Sequence, residues 1–238
     1  MSTDQKRARW FGALFVATYV TSIAALALFQ PVLDDPVGYI AGDGKDTQIY
    51  LGALLEFFLI VTAVGTAVVL YPIAKRQDET LALGYVAARI LEGVFIAAGI
   101  IFMVAVVTLR NELSSANDAA YALAALKDWT FLFGPGFFPL GNGLLLGYLM
   151  YRTGLVPRRM TWLGLIGGPL CFVAGVGVLF DWWPAGGTVQ SLATVPEFIW
   201  ELALGIYCLI WGFRKDAPIL AEGDEPEASA PTAALSPA

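Results

Sequence analysis

The chain has 238 residues, of which 58% are hydrophobic and 14% charged, and its mean hydropathy is +0.68. Soluble domains carry about 25% charged residues, so this composition points to a chain solvated by lipid. Fourteen Lys and Arg against 20 Asp and Glu give a formal charge of −6, which leaves no basic footprint for nucleic acid.

Six apolar runs follow one another: Trp10–Phe29, Ile49–Tyr71, Leu81–Leu109, Trp129–Met150, Met160–Phe180 and Val195–Phe213. The hydrocarbon core needs roughly 20 residues of helix at about 1.5 Å per residue, and every run meets that length. The alternation of a barrel strand is missing, and lipid leaves helices as the other way to satisfy the backbone. The fold class predicted is therefore all-α: a polytopic membrane protein built as a six-helix bundle over residues 1–213. Lys6, Arg7 and Arg9 before the first run imitate a signal peptide. The run is longer than a signal peptide's roughly 7–15 apolar residues, so it reads as an uncleaved first span.

Gln30–Gln48 is acidic and rich in Pro and Gly, and reads as an external loop. Arg110–Asp128 holds its own apolar pattern, Ala119–Leu126, which predicts a short helical lead-in to the fourth span. With the N-terminus inside, ten Lys and Arg fall on the cytoplasmic side and three (Lys45, Arg110 and Lys127) on the other. That is a positive-inside bias, and it places both termini in the cytoplasm. Residues 214–238 turn polar, acidic and rich in Ala and Pro, a composition that predicts a disordered tail.

The informative residues are the ionisable ones inside the spans, because a charge at the bilayer centre costs about 2.5–3.5 kcal/mol. They are Glu56 in the second span, Arg89 and Glu92 in the third, and Glu197 and Glu201 in the sixth. Arg89 and Glu92 lie three residues apart and so share a helix face, with Tyr85 one turn earlier. Arg89 cannot shed its charge, so Glu92 is its predicted local partner, with Glu56 or Glu201 across the bundle. Glu197 follows Pro196 and reads as a cap near the external helix end. Lys127 with Asp128 reads as a local surface pair.

In the fourth span, Pro135 and Pro139 remove two backbone donors four residues apart. Irregular backbone survives in a membrane where it is covered by protein or lines a cavity. Phe138 and Asn142 share the face that these prolines disturb. Gly143–Gly147 and Gly164–Gly168 have the spacing of close helix crossings.

Without histidine, His-ligated haem, His-containing zinc sites and Ser–His or Cys–His nucleophile pairs are excluded. Two cysteines, Cys171 and Cys208, make neither a four-cysteine metal site nor a disulfide framework. No cofactor, no metal and no catalytic residue is expected. The candidate ligand-binding cavity is lined by Glu56, Tyr85, Arg89, Glu92, Phe138, Asn142 and Glu201. Its partners would be the lipid bilayer and a small amphiphilic ligand.

Four segments in order also carry a resemblance: Gly52–Glu56, Leu83–Glu92, Lys127–Leu132 and Tyr151–Arg158. Over Arg9 to Phe213 the chain resembles the bacterial membrane family described as domain of unknown function 4386. The resemblance implies a six-helix protein of the bacterial inner membrane and brings no activity with it. Small-molecule or lipid-like ligand binding or transport is the functional reading favoured by the residues. A structural or accessory membrane protein, and an intramembrane acid–base enzyme using Glu92 or Glu201, are the alternatives.

Overall fold

A computed structural model describes residues 1–42, 44–112 and 117–221. Among these the chain is helical throughout, with no strand. The helices are α1 (Thr3–Asp34), α2 (Pro36–Ala41), α3 (Asp46–Ala74), α4 (Glu79–Glu112), α5 (Asn117–Phe131), α6 (Leu146–Thr153), α7 (Arg158–Leu179), α8 (Thr188–Ile210) and α9 (Pro218–Ala221). Five of them, α1, α3, α4, α7 and α8, are long and apolar enough to cross a membrane, so the chain is a multi-pass membrane protein.

Local chemistry sets the helix ends. Ser2 caps α1, its hydroxyl accepting from the Gln5 amide at 3.3 Å. Asp35 caps α2 through the Gly38 amide at 2.8 Å, with Pro36 in the first turn, where its missing N–H costs nothing. Asp78 performs the same task for α4. Gly154, at φ 65°, closes α6 in the left-handed conformation that glycine adopts without strain. The predicted lead-in Ala119–Leu126 is realised as α5. The segment predicted as an external loop, Gln30–Gln48, is largely helical: α1 runs on through Pro31 to Asp34, and α2 follows at once. The last long helix starts earlier than its apolar run, at Thr188, because Pro196 is accommodated inside it.

The predicted fourth span is not one of the five long helices. Its chain passes from α5 into two wide π turns, Leu132–Gly136 and Leu140–Leu145, and then into α6. Pro135 and Pro139 are the cause. Neither can donate, and each ring crowds the carbonyl four residues back, so the backbone widens. The Phe138 amide still finds the Gly134 carbonyl at 3.0 Å, and that of Gly141 finds Phe138 at 2.7 Å.

The helices close into a ring. α1 packs on α3 and α8, α3 on α4, and α4 on α5 and the π turns; the second π turn and α6 pack on α7, and α7 on α8. Gly143 makes the π turn's approach to α7 close, since a side chain there would strike the Gly164 carbonyl and Gly168. Both the start of α1 and the end of α8 lie at one end of the ring, where the Gln5 side chain donates to the Phe213 carbonyl at 2.6 Å and Asp4 pairs with Arg76 at 2.7 Å. At the far end, Arg110 holds Asp46 at 2.6 Å and the Gly42 carbonyl at 3.0 Å, tying α2 and α3 to α4.

The stretch from residue 214, predicted to be disordered, is ordered as far as Ala221. Ala217 and Ile219 are buried against the core at the terminal end, and the Arg214 amide donates to the Leu155 carbonyl at 2.9 Å. Apolar side chains interrupting the acidic sequence there explain the difference. The rest of the predicted tail, 222–238, lies outside the described residues.

Candidate functional site

The ring encloses a cavity of about 400 Å³, walled by α1, α3, α4, α5, the π turns and α8. Its floor is built around Arg89, which is 3% exposed on α4. Arg89 donates through Nη1 to Glu92 at 2.8 Å, and its Nη2 lies 3.9 Å from the carboxylate of Glu201 on α8. Its Nε reaches the Tyr85 hydroxyl at 3.4 Å, and that hydroxyl lies 3.1 Å from the Thr66 hydroxyl of α3. The guanidinium stands 5.0 Å from the ring centre of Phe15 on α1, an arrangement that favours a cation. Four helices thus converge on one charge. The second π turn places Asn142 beside it, with Nδ2 3.5 Å from Glu92. The Trp200 indole N–H holds the Asn142 carbonyl at 3.0 Å.

A second pair sits nearer the far end. Lys127 on α5 donates to both carboxylate oxygens of Glu56 on α3, at 2.6 and 2.7 Å. Its ammonium also lies 5.1 Å from the ring centre of Phe29. The approach of α5 to α4 depends on Gly99, since a side chain there would meet Lys127 and Thr130.

Of the residues singled out from the sequence, Glu56, Arg89, Glu92, Asn142 and Glu201 line this one cavity. Tyr85 is buried behind Arg89 and supports it from the core. Phe138 packs away from the wall, its ring 6.1 Å from that of Phe95. Of the two partners expected for Arg89 across the bundle, Glu201 is the one that lies near it. Two readings differ from expectation. Glu56 pairs with Lys127, because Lys127 turns inward from α5 and is 6% exposed; it is no surface residue. Glu197 is no helix cap: α8 begins nine residues before it, and its side chain is buried at 4% exposure.

Glu197 is the unusual group of the site. Neither of its carboxylate oxygens has a hydrogen-bond partner among the described residues, and neither has the Asn142 amide oxygen. Its carboxylate sits in a niche that exists because Gly143 and Gly167 have no side chains to fill it. Both missed residues had a signal in the sequence. Ala120, Ala124 and Lys127 form one inward stripe on α5, all buried. Glu197, Trp200, Leu204 and Cys208 form another on α8.

The cavity opens sideways. Ile23 and Leu26 of α1, Phe131 of α5 and Phe198 of α8 border it, and each is about half exposed. The arrangement can therefore hold a polar group at its charged floor while an apolar portion lies toward the opening. Among the described residues no group of three or more His, Cys, Asp or Glu side chains is placed to hold a metal ion.

No curated protein and no solved structure matches the chain. A family model does match, over residues 10–212. With a membrane-capable helical ring and a match over most of its length, the chain belongs to the family described as domain of unknown function (DUF4386).

Proposed function

We propose that this is a six-span protein of the bacterial inner membrane, with both termini cytoplasmic, that binds a small amphiphilic molecule in its interior cavity as the binding step of transport or sensing. The sixth crossing would be the broken path from α5 through the π turns to α6. Its irregular backbone is covered by α4, α7 and α8, which is the condition lipid imposes on such a segment. The orientation rests on ten cations on one side of the bundle against Lys45 and Arg110 on the other, Lys127 being drawn into the interior. Reporter fusions after Arg76, after Arg158 and at the C-terminus should read cytoplasmic, and fusions within Asp34–Lys45 external. A cytoplasmic reading within Asp34–Lys45 would overturn the orientation.

The ligand reading is carried by one observation: a closed helical ring keeps a cavity with a charged floor and an apolar side opening. Side chains that only specified helix pairing would close on one another. The Lys127–Glu56 pair does so, and it favours a structural part for that layer. Native mass spectrometry of the purified protein tests the reading. The wild type should carry a bound species of defined mass, and Ser22→Trp, which fills the cavity from α1, should lose it. An equal load on both proteins would place the bound species elsewhere and overturn the assignment.

A further inference from the structure

We infer that the molecule held in this cavity carries a protonated amine, received by the Glu197 carboxylate and the Asn142 amide oxygen; this rests on the ligand-binding reading above. Five carboxylates line the cavity, those of Glu56, Glu92, Asp128, Glu197 and Glu201, against two cations, Arg89 and Lys127. Glu56 answers Lys127 at 2.6 Å and Glu92 answers Arg89 at 2.8 Å. By formal count the acids exceed the cations, and among the described residues Glu197 is the buried carboxylate left with no donor.

The hydrogen-bond inventory points the same way. Among the described residues the buried orphan atoms in the cavity are three acceptors, both oxygens of Glu197 and Oδ1 of Asn142, and one donor, Nη2 of Arg89. That donor already faces Glu201 at 3.9 Å. A buried carboxylate without a partner is costly; it is relieved by taking up a proton or by meeting a group that brings positive charge and N–H donors. An ammonium has both, with three donors and no acceptor when primary. An anion would add to the excess. Glu197 of α8 and Asn142 of the π turn both line this cavity, and the Glu197 carboxylate lies against Gly143, the residue that follows Asn142, which makes one head group their common partner. The apolar part of the molecule would then lie between Phe198, Phe131, Ile23 and Leu26, toward the opening.

Four probes with one chain length separate charge from hydrogen bonding: octylammonium, octyltrimethylammonium, octanol and octanesulfonate. Each is titrated calorimetrically into the full-length protein in nanodiscs, with empty nanodiscs subtracted. Octylammonium should bind about tenfold more tightly than octanol, a difference of about 1.4 kcal/mol. Octyltrimethylammonium, charged but without N–H donors, should fall between them, and octanesulfonate should be weakest. In Glu197→Gln the advantage of octylammonium should vanish while octanol stays within about twofold. The ranking in the wild type needs no variant, so the inference remains falsifiable even if Glu197→Gln does not fold. Equal binding of octylammonium and octanesulfonate, or a preference that survives in folded Glu197→Gln, overturns the amine while leaving the cavity reading intact. No saturable binding of any probe, or binding that persists in Ser22→Trp, overturns both.

Discussion

The two ends of the ring are packed by different rules. At the end that holds the start of α1 and the end of α8, one apolar core joins nearly every helix: Phe11 and Phe15 of α1, Leu70 of α3, Tyr85 of α4, Leu146 and Leu149 of α6, Trp200 and Leu204 of α8. At the far end the core is confined to α1 through α5, with Phe29, Ile49, Met103 and Ala120 among its members. The outer turns of α8 join neither, and Val189, Leu192 and Val195 there are each about half exposed or more. The polar layer lies where the shared core stops. Tyr19 follows Phe15 by one turn, Arg89 follows Tyr85, Asn142 precedes Leu146, and Glu197 precedes Trp200. A core that ends on four helices at the same height leaves one turn, about 5.4 Å, in which polar side chains must satisfy one another. Ala63, one turn from Ala67 in the same layer, leaves that space unfilled.

The largest effect should come from breaking that layer. Arg89→Leu strands Glu92 and Glu201 in low dielectric and should cost about 3–5 kcal/mol of stability in detergent. Adding Glu92→Leu should recover part of the loss. All four corners of the cycle are measured by denaturation, and simply additive single losses would show that the two residues are not coupled. Lys127→Met at the looser end should cost less, about 3 kcal/mol, the upper end for an unpaired buried group, because the cavity can hydrate Glu56. A combined Lys127→Met and Glu56→Gln protein should return most of it; no recovery would mean that Lys127 matters through packing on Phe29 and Gly99 alone.

The same helix pair can be probed at both ends. At the terminal end, Gly12 lies against the backbone of α8, and a Cβ there would stand 2.6 Å from the Gly205 carbonyl oxygen. Backbone cannot yield as a side chain does, so Gly12→Ala should cost about 1–2 kcal/mol through overpacking. At the far end Leu192 is 67% exposed, and Leu192→Ala should stay within about 0.5 kcal/mol. Thermal unfolding of the two variants side by side reads the contrast. If Leu192→Ala proved the costlier, the outer part of α8 would be packed and the side opening absent.

Length and hydropathy make five of the helices legible, since lipid imposes both. Pro135 and Pro139 also marked the broken segment in advance, because a missing N–H is local chemistry. Which carboxylate meets which cation was not legible. Glu56 is a lone charge in its apolar run and Arg89 shares its run with Glu92, and depth arithmetic along separate helices cannot report which neighbour turns inward. Lys127 beside Asp128 imitated a surface pair, and only its register with Ala120 and Ala124 betrayed the buried face. Glu197 after Pro196 imitated a helix start, although α8 accommodates the proline and continues. Pairing is set by the ring closure, a tertiary fact to which local spacing is blind.

The smallest effect concerns the C-terminal segment, and it separates two deletions that the acidic composition alone would treat alike. Removing 222–238 takes away a stretch whose only large apolar residue is Leu235. Such a segment has little surface to bury, so the melting temperature in detergent should move by no more than about 0.5 kcal/mol equivalent. Extending the deletion back to Asp216 also removes Ala217 and Ile219, both 4% exposed and packed in the terminal-end core. Burying a side chain of that kind is worth about 1.5–3 kcal/mol. The longer deletion should therefore melt distinctly earlier than the shorter one. Ile219→Ala within the full chain localises the cause: it should reproduce most of the difference if packing is responsible. If both deletions melt like the full chain, the terminal-end core does not need its last strap, and the asymmetry between the two ends of the ring resides wholly in α1, α3, α4, α6 and α8.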